Sequence, residues 1–557
     1  MKRTLLLLAL ALTLPLGARR YQNPILHLDY SDPDVCRVGE DYYMTASSFN
    51  CFPGLPILHS KDLVHWELIG SALWDYSPDF RRSVQHGNGV WAPAIRYHDG
   101  WFYIYVGDPD RGIFMVRTQD PAGRWEDPVW VTEAKGFIDP CPFWDEDGRA
   151  WLSHGCAGSR AGVKSVLFMA PMAPDGTHLL APSRIIYDGH LSQPTIEGTK
   201  MYRRDGWYYI FSPAGGVATG WQTVLRSKDL YGPWEERIVM AWAPGTVNGP
   251  HQGAWVTDTA GADWFVHFQD KGAYGRIVHL QPMHWRPDGW PVIGEDPDGD
   301  GVGQPVSEWT VPAAPAAAVA VSEDKSPSAA GKTLPYGLPL EWQFPTIPSA
   351  YWSMALPDGG VRLYSVEQAG PGLWDCPNLL LQKFPAERFI VTACLGFRPS
   401  PALKGEQAGF TVMGNDYAGL RLTDTEEGAL LEYVTCLKAD KGGAEQAVRL
   451  AVVPYEYEEL PHGRESRNVP LVHYPDVPEA KIWVKLEVRP RPVEGNVPEA
   501  ACTFSWSRDG RKYTPAGGPF TAKPEMWIGA KFGFWCNRYT RKNDGGWLDI
   551  RQLVSTL

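Results

Sequence analysis

Five stretches of this chain repeat one pattern, a short polar turn followed by a strand crowded with aromatic and aliphatic residues. They read GEDYYMTA (39–46), DGWFYIYV (99–106), DGRAWLSH (147–154), DGWYYIFS (205–212) and ADWFVHFQ (262–269). Their centres, Tyr43, Tyr103, Trp151, Tyr209 and Phe265, recur every 48–60 residues. A second pattern interleaves with them: HSKDLVHWE (59–67), RTQDPAGRWE (117–126) and RSKDLYGPWE (226–235), each reading as a turn and outer strand of the same unit. Units of about 40–50 residues or more, marked by Gly and aromatics, are the signature of a β-propeller. Five units predict five blades around one axis, with the functional site on that axis.

The pattern changes after residue 306. The stretch VPAAPAAAVAVSEDKSPSAAGKTLP (311–335) is rich in Pro, Ala and Ser and keeps no amphipathic period, so it reads as linker. Plain alternation follows. Ile482, Val484, Leu486 and Val488 face one way, with Lys485 and Glu487 the other. Cys502, Phe504 and Trp506 alternate with Thr503, Ser505 and Ser507 before an Asp509-Gly510 turn. Such strands over the last part of the chain predict a two-sheet antiparallel sandwich. The expected organisation is all-β: a propeller over 21–306, a linker over 307–337 and a sandwich over 338–557.

Composition supports many short strands, with 57 Gly, 49 Pro and 25 Trp among 557 residues. Most Trp belongs in a β core; the remainder suits sugar contact, because a flat ring stacks on the apolar face of a sugar. The net charge of −12 argues against a nucleic-acid surface, which needs clustered Lys and Arg. At the amino terminus Lys2 and Arg3 precede the apolar run LLLLALALTLPL (5–16) and the small pair Gly17-Ala18. Residues 1–18 therefore read as a secretory signal peptide, too short to span a bilayer comfortably, and the mature protein is expected to be exported with no membrane span. Nine cysteines without a CxxC motif argue against zinc. Pairing of Cys36 with Cys51, or of Cys141 with Cys156, is open to them, but buried free thiols are expected.

Three carboxylates each open a blade-like unit: Asp32 in DYSDPDVC, Asp139 in GFIDPCPFW and Glu197 in PTIEGTKMY. Each precedes its aromatic strand by about the same interval, which places all three on innermost strands lining the axis. Asp before Pro is also a common turn former. Three acids at matched phase instead point to one shared cavity.

These residues carry a resemblance. NPILHLDYSDPDVCRVGEDYYMTASSF (23–49), PGLPILHSKDLVHW (53–66), GVWAPAIRY (89–97), FIDPCPFWDEDG (137–148), IEGTKMY (196–202) and GRIVHLQPMHW (275–285) resemble, in order and spacing, glycoside hydrolase family 43. The later region, notably GFWCNRYTRKNDGGWLDI (533–550), resembles the concanavalin A-like sandwich of family 43 β-xylosidases. The resemblance implies an inverting, five-bladed enzyme acting on xylose- and arabinose-containing polysaccharides. Asp32 would be the general base that deprotonates water. Glu197 would be the general acid that protonates the departing oxygen, and Asp139 would orient Glu197 and favour its protonated form. A gap of roughly 6.5–9.5 Å between base and acid leaves room for that water. One departure is visible: the family often reads Glu-Gly-Pro-His at the acid, whereas this chain reads Glu-Gly-Thr-Lys, and Lys200 is expected to point away.

The resemblance also assigns binding residues. Arg276 would reach sugar hydroxyls and the acids, and Phe49 and Trp91 would wall the terminal sugar. His251 would lie beneath the centre, where many members hold a hydrated calcium ion; a lone His is weak support, since calcium prefers oxygen ligands. Asp549 is a candidate for a second calcium site. The run DPDGDGVG (296–303) lacks the terminal Glu of an EF-hand loop and reads as a polar turn. Phe534 and Trp535 are expected at the rim of the pocket, where the sandwich leans over the propeller mouth. Two function classes follow: an exo-acting pentosidase on hemicellulose-derived oligosaccharides with no organic cofactor, or a non-catalytic carbohydrate-binding propeller and sandwich. The intact acid set favours the first.

Overall fold

The computed structural model describes residues 19–242, 249–312, 333–334, 337–348, 352–458, 477–493, 497–540 and 544–557. The segment read as a signal peptide lies outside them, as does most of the segment read as linker. Among the described residues no helix is long and apolar enough to cross a membrane.

Five four-stranded antiparallel meanders follow one another through the first half. Their first strands are Asp34–Val38, Trp91–His98, Phe137–Trp144, Lys200–Arg204 and His251–Thr257. The first strand of blade 1 packs on those of blades 2 and 5, and blade 3 packs on blades 2 and 4, so the first strands ring the axis. The repeated aromatic segments form the second strands, where Tyr105, Phe211 and Phe265 are completely buried between neighbouring blades. That position explains the repeat: a large side chain at each second strand fills the wedge between sheets.

The ring is tied by its ends. Arg20–Gln22 pairs with Glu308–Thr310, and the Asn23 side chain donates to the carbonyls of Leu280 and Val306. The segment read as linker from 307 therefore begins as strand. Its partner lies at the other end of the propeller sequence, where local composition gives no warning of the pairing.

A backbone feature repeats with the blades. At the start of each first strand stands a residue with left-handed φ, two residues ahead of the strand in blades 1 and 4 and within its first three residues in blades 2, 3 and 5: Asp32 (53°), Ala92 (31°), Asp139 (56°), Gly198 (66°) and Gln252 (39°). In blades 2, 3 and 5 the strand register shifts at that point. A side chain in this conformation costs roughly 1–2 kcal/mol, yet four of the five residues are not glycine. Two residues further along each strand stand Asp34, Ala94, Cys141, Lys200 and Ala254, all completely buried.

The second half is a sandwich of an eight-stranded and a seven-stranded sheet. Ile482, Val484, Leu486 and Val488 are fully buried, as alternation predicts. The Asp509 carboxylate accepts the backbone N–H groups of Arg511 and Lys512 and closes the predicted turn. All nine cysteines are free thiols, eight of them buried. The sandwich docks on the propeller through backbone bonds between Phe52 and Phe344, and through Ala530 N–H to the Ala273 carbonyl at 2.8 Å.

Candidate active site

Asp32, Asp139 and Glu197 converge on one cavity of about 200 Å³ at the mouth of the axis. The backbone repeat explains how. Asp32 and Asp139 occupy the left-handed position of blades 1 and 3, which turns both carboxylates toward the axis. Glu197 stands one residue earlier, before Gly198, in the phase held by Ser31, Trp91, Ile138 and His251 in the other blades. The matched phase read from the sequence thus holds for the two aspartates and is offset by one residue for Glu197.

Each acid has its own surroundings. Asp32 is 5 % exposed; its Oδ2 accepts the hydroxyls of Ser31 (2.8 Å) and Ser47 (2.5 Å). The Ser31 hydroxyl in turn accepts Arg276 Nη1 at 2.8 Å, and that guanidinium lies 3.6 Å from Asp32 Oδ1. Asp139 is 2 % exposed, and its Oδ2 accepts the Gly198 N–H (2.8 Å) and the Gln252 amide (3.0 Å). Burial, then the charges of Glu197 and Asp32, push Asp139 up to about 8, against the opposing pull of Lys200. The Glu197 side chain is 34 % exposed, and His251 Nε2 lies 3.0 Å from its Oε1. One carboxyl is therefore open to a ligand, while its neighbour is sealed in and holds the segment that carries it.

Phe49 and Trp91 line the cavity, ring centroids 6.5 Å apart and edge to face. Arg276 lines it too, its guanidinium over Phe268 at 4.7 Å. The sandwich contributes, but not through the residues expected. Trp535 is 2 % exposed and packs with Leu379, Leu381 and Tyr417; Phe534 is fully buried. Both sit on the strand Lys531–Arg538, flanked on each side by paired strands, so neither reaches the mouth. The rim residue is Trp527, from the loop before that strand. Its ring lies 6.1 Å from Trp91, and the Arg276 guanidinium sits 5.3 Å from its centroid. Trp527 adopts φ 67° in a turn closed between Glu525 and Ile528, a place where glycine is usual. Sequence reading also missed Gln252, Ser31 and Ser47; Gln252 adjoins His251 in the sequence, but nothing local marks its contact with Asp139.

His251 lines the cavity, with its Nε2 engaged by Glu197 at 3.0 Å and its Nδ1 buried without a hydrogen-bond partner. Among the described residues, no three His, Cys, Asp or Glu side chains gather as metal ligands. Asp549 is likewise taken, held by Arg362 at 2.7 and 2.9 Å and by Arg551 at 3.1 Å. Asp296 caps its own turn by accepting Gly299 and Gly301 N–H. A wider cavity of about 430 Å³ opens at the far end of the axis, but Asp34 beside it is paired with Arg96 at 2.7 Å and no acid pair faces it.

Comparison with known proteins agrees with this geometry. Residues 21–291 match the model of glycosyl hydrolases family 43, and residues 336–553 match that of the beta xylosidase C-terminal concanavalin A-like domain. The chain is 34% identical over 522 residues to the "Putative beta-xylosidase" of Xylanibacter ruminicola, spanning 93% of this chain and 86% of that protein. It is 31% identical over 434 residues to a non-reducing end alpha-L-arabinofuranosidase of Bacteroides ovatus, spanning 74% and 77%. The solved structure of a xylan beta-1,4-xylosidase from Bacillus halodurans superposes with a TM-score of 0.72 at 22% identity, covering 96% of this chain and all of the other. With its acids gathered on the axis of a five-bladed propeller and a concanavalin A-like sandwich behind it, the chain belongs to glycoside hydrolase family 43.

Proposed function

We propose that the protein is an exo-acting, inverting glycoside hydrolase that releases terminal β-D-xylose, α-L-arabinofuranose or both from hemicellulose oligosaccharides. The observation that carries this reading is the meeting of one sealed, one hydrogen-bonded and one accessible carboxyl in a cavity of about 200 Å³. That volume is below the roughly 300–1,000 Å³ of pockets for larger ligands and suits one sugar ring. Trp527 and Trp91 narrow its mouth, which favours a chain end over the middle of a polymer.

The residues divide the work. Asp32, fixed by two serine hydroxyls and Arg276, takes a proton from the attacking water. Glu197, the exposed member, donates a proton to the departing glycosidic oxygen. Asp139 fixes the Gly198 backbone and so aims Glu197, and its negative charge favours a proton on Glu197. Relatives carry both xylosidase and arabinofuranosidase names, and the same acids serve either sugar. The amino-terminal pattern supports export, which would bring the enzyme to plant cell-wall fragments.

Offering xylo- and arabinofurano-oligosaccharides side by side, with the product anomer followed by proton NMR, tests the proposal. Release of a terminal pentose with inverted configuration is expected. Retained configuration would remove the inverting assignment, and saccharide binding without turnover would favour the carbohydrate-binding alternative.

A further inference from the structure

Lys200 is a lysine with no exposed surface, buried behind the lining of the acid-rich cavity rather than in it. It opens the first strand of blade 4, two residues after Gly198. By strand alternation its side chain points to the same side as the axis-facing position before it. The ammonium donates to the Pro93 carbonyl of blade 2 at 3.0 Å. A side chain rooted in blade 4 and ending on blade 2 passes blade 3, the blade that carries Asp139. The two residues before Lys200 are also bound to Asp139: Gly198 N–H to its carboxylate, and the Thr199 hydroxyl to its carbonyl at 3.0 Å.

A buried ammonium needs compensating negative charge, and one carbonyl does not supply it. The charges nearby form two sets. Arg276 faces Asp32, and Lys200 acts on Asp139. With Asp32 and Asp139 ionised and Glu197 protonated, these five groups sum to zero. We propose that Lys200 is a positioning residue for the catalytic proton: its fixed charge keeps Asp139 as carboxylate, so the single proton of the Asp139–Glu197 pair rests on Glu197, where a leaving group can receive it. Another placement, with the proton on the sealed Asp139, would leave the exposed carboxyl without one. Around the pair, the other titratable and charged groups are Asp32, His251, Arg276 and the Cys156 thiol, with Lys164 at the mouth. This inference rests on the proposed roles of Glu197 and Asp139.

The test compares Lys200→Met, Lys200→Arg and Glu197→Gln in the full chain. Loss of the cation raises the proton affinity of both carboxyls, more for Asp139 than for Glu197. In Lys200→Met, both limbs of the kcat/KM–pH profile should therefore move to higher pH. Turnover of a natural disaccharide, which needs the acid, should fall at least about tenfold further than turnover of an aryl glycoside with a good leaving group. Lys200→Arg, which keeps the charge, should restore the profile. Equal losses on both substrates with unmoved limbs would overturn the proposal and leave Lys200 a packing residue. The two readings fail differently: if Glu197→Gln itself shows no dependence on the leaving group, the acid assignment is at fault rather than the role of Lys200.

Discussion

The indole of Trp527 and the guanidinium of Arg276 meet face on, 5.3 Å from carbon to ring centroid, although one belongs to the sandwich and the other to the propeller. The pocket wall is thus shared between domains, and it persists only while they stay docked. The Asp29 carboxylate reinforces this junction, accepting the Arg276 N–H at 2.8 Å on one oxygen and the Gly529 N–H at 2.9 Å on the other. Replacing Trp527 by Ala should raise KM for oligosaccharides on the order of tenfold, by removing a stacking and cation–π surface. Because Trp527 is 43 % exposed, melting temperature should change little.

Trp535→Ala is the matched contrast. A buried tryptophan lost from a packed core typically costs about 3–5 kcal/mol. Calorimetry should show a clear drop in melting temperature, while KM of the folded enzyme stays close to that of the parent. A raised KM with intact stability would return Trp535 to the rim.

Glu197 and Asp32 should separate by leaving group. Asp32→Ala should lose on the order of 10²–10⁴-fold in turnover on every substrate, since each needs an activated water. Glu197→Gln should lose as much on oligosaccharides and far less on an aryl glycoside. Steady-state kinetics on the two substrate types reads this directly.

Ser47 should matter without touching the sugar. Its hydroxyl donates to Asp32 Oδ2 and accepts the Ala92 N–H at 2.7 Å. A hydrogen bond to a charged group is worth about 1.5–3 kcal/mol. Ser47→Ala should therefore lower kcat roughly ten- to a hundredfold, with KM nearly constant.

The Asp139–Glu197 pair makes stability depend on pH. Burial, followed by the charges of Glu197 and Asp32, pushes Asp139 up to about 8, so the folded pair keeps one proton over a range where the unfolded chain has released it, and in the proposed arrangement that proton rests on Glu197. This contribution to stability is fully present at acid pH and declines as pH rises towards about 8. Asp139→Asn, which removes the charge that holds the pair's proton, should flatten that part of the slope of melting temperature against pH, while turnover falls. An unchanged slope would mean that the pair holds no extra proton in the fold.

What the sequence made legible follows from where its constraints are local. The aromatic second strands repeat because every blade must fill the same wedge, so Tyr105, Phe211 and Phe265 announce the propeller without any structure. Asp32 and Asp139 announce themselves through Asp-Pro at one backbone position. Glu197 sits one residue out of that phase because Gly198 takes the left-handed conformation in blade 4, and a rough interval hides a shift of one. Trp527 and Trp535 lie eight residues apart in one aromatic stretch. Which of them reaches the mouth depends on where the last turn ends and the paired strand begins, a matter of long-range register rather than composition. The strand Glu308–Thr310 escaped notice for the same reason.

The left-handed residue at each blade entrance has a consequence for how such an enzyme can change. Rotational repetition supplies five sockets around one well, each aimed by the main chain whichever side chain fills it. Only two hold an aspartate; Ala92, Gly198 and Gln252 fill the rest. Location and reactivity are therefore inherited separately: the fold fixes where a group will point, and a single codon decides what it is. A lineage can add, remove or move a charged group around the well without rebuilding the scaffold, which makes the acid set the most editable part of an otherwise rigid machine.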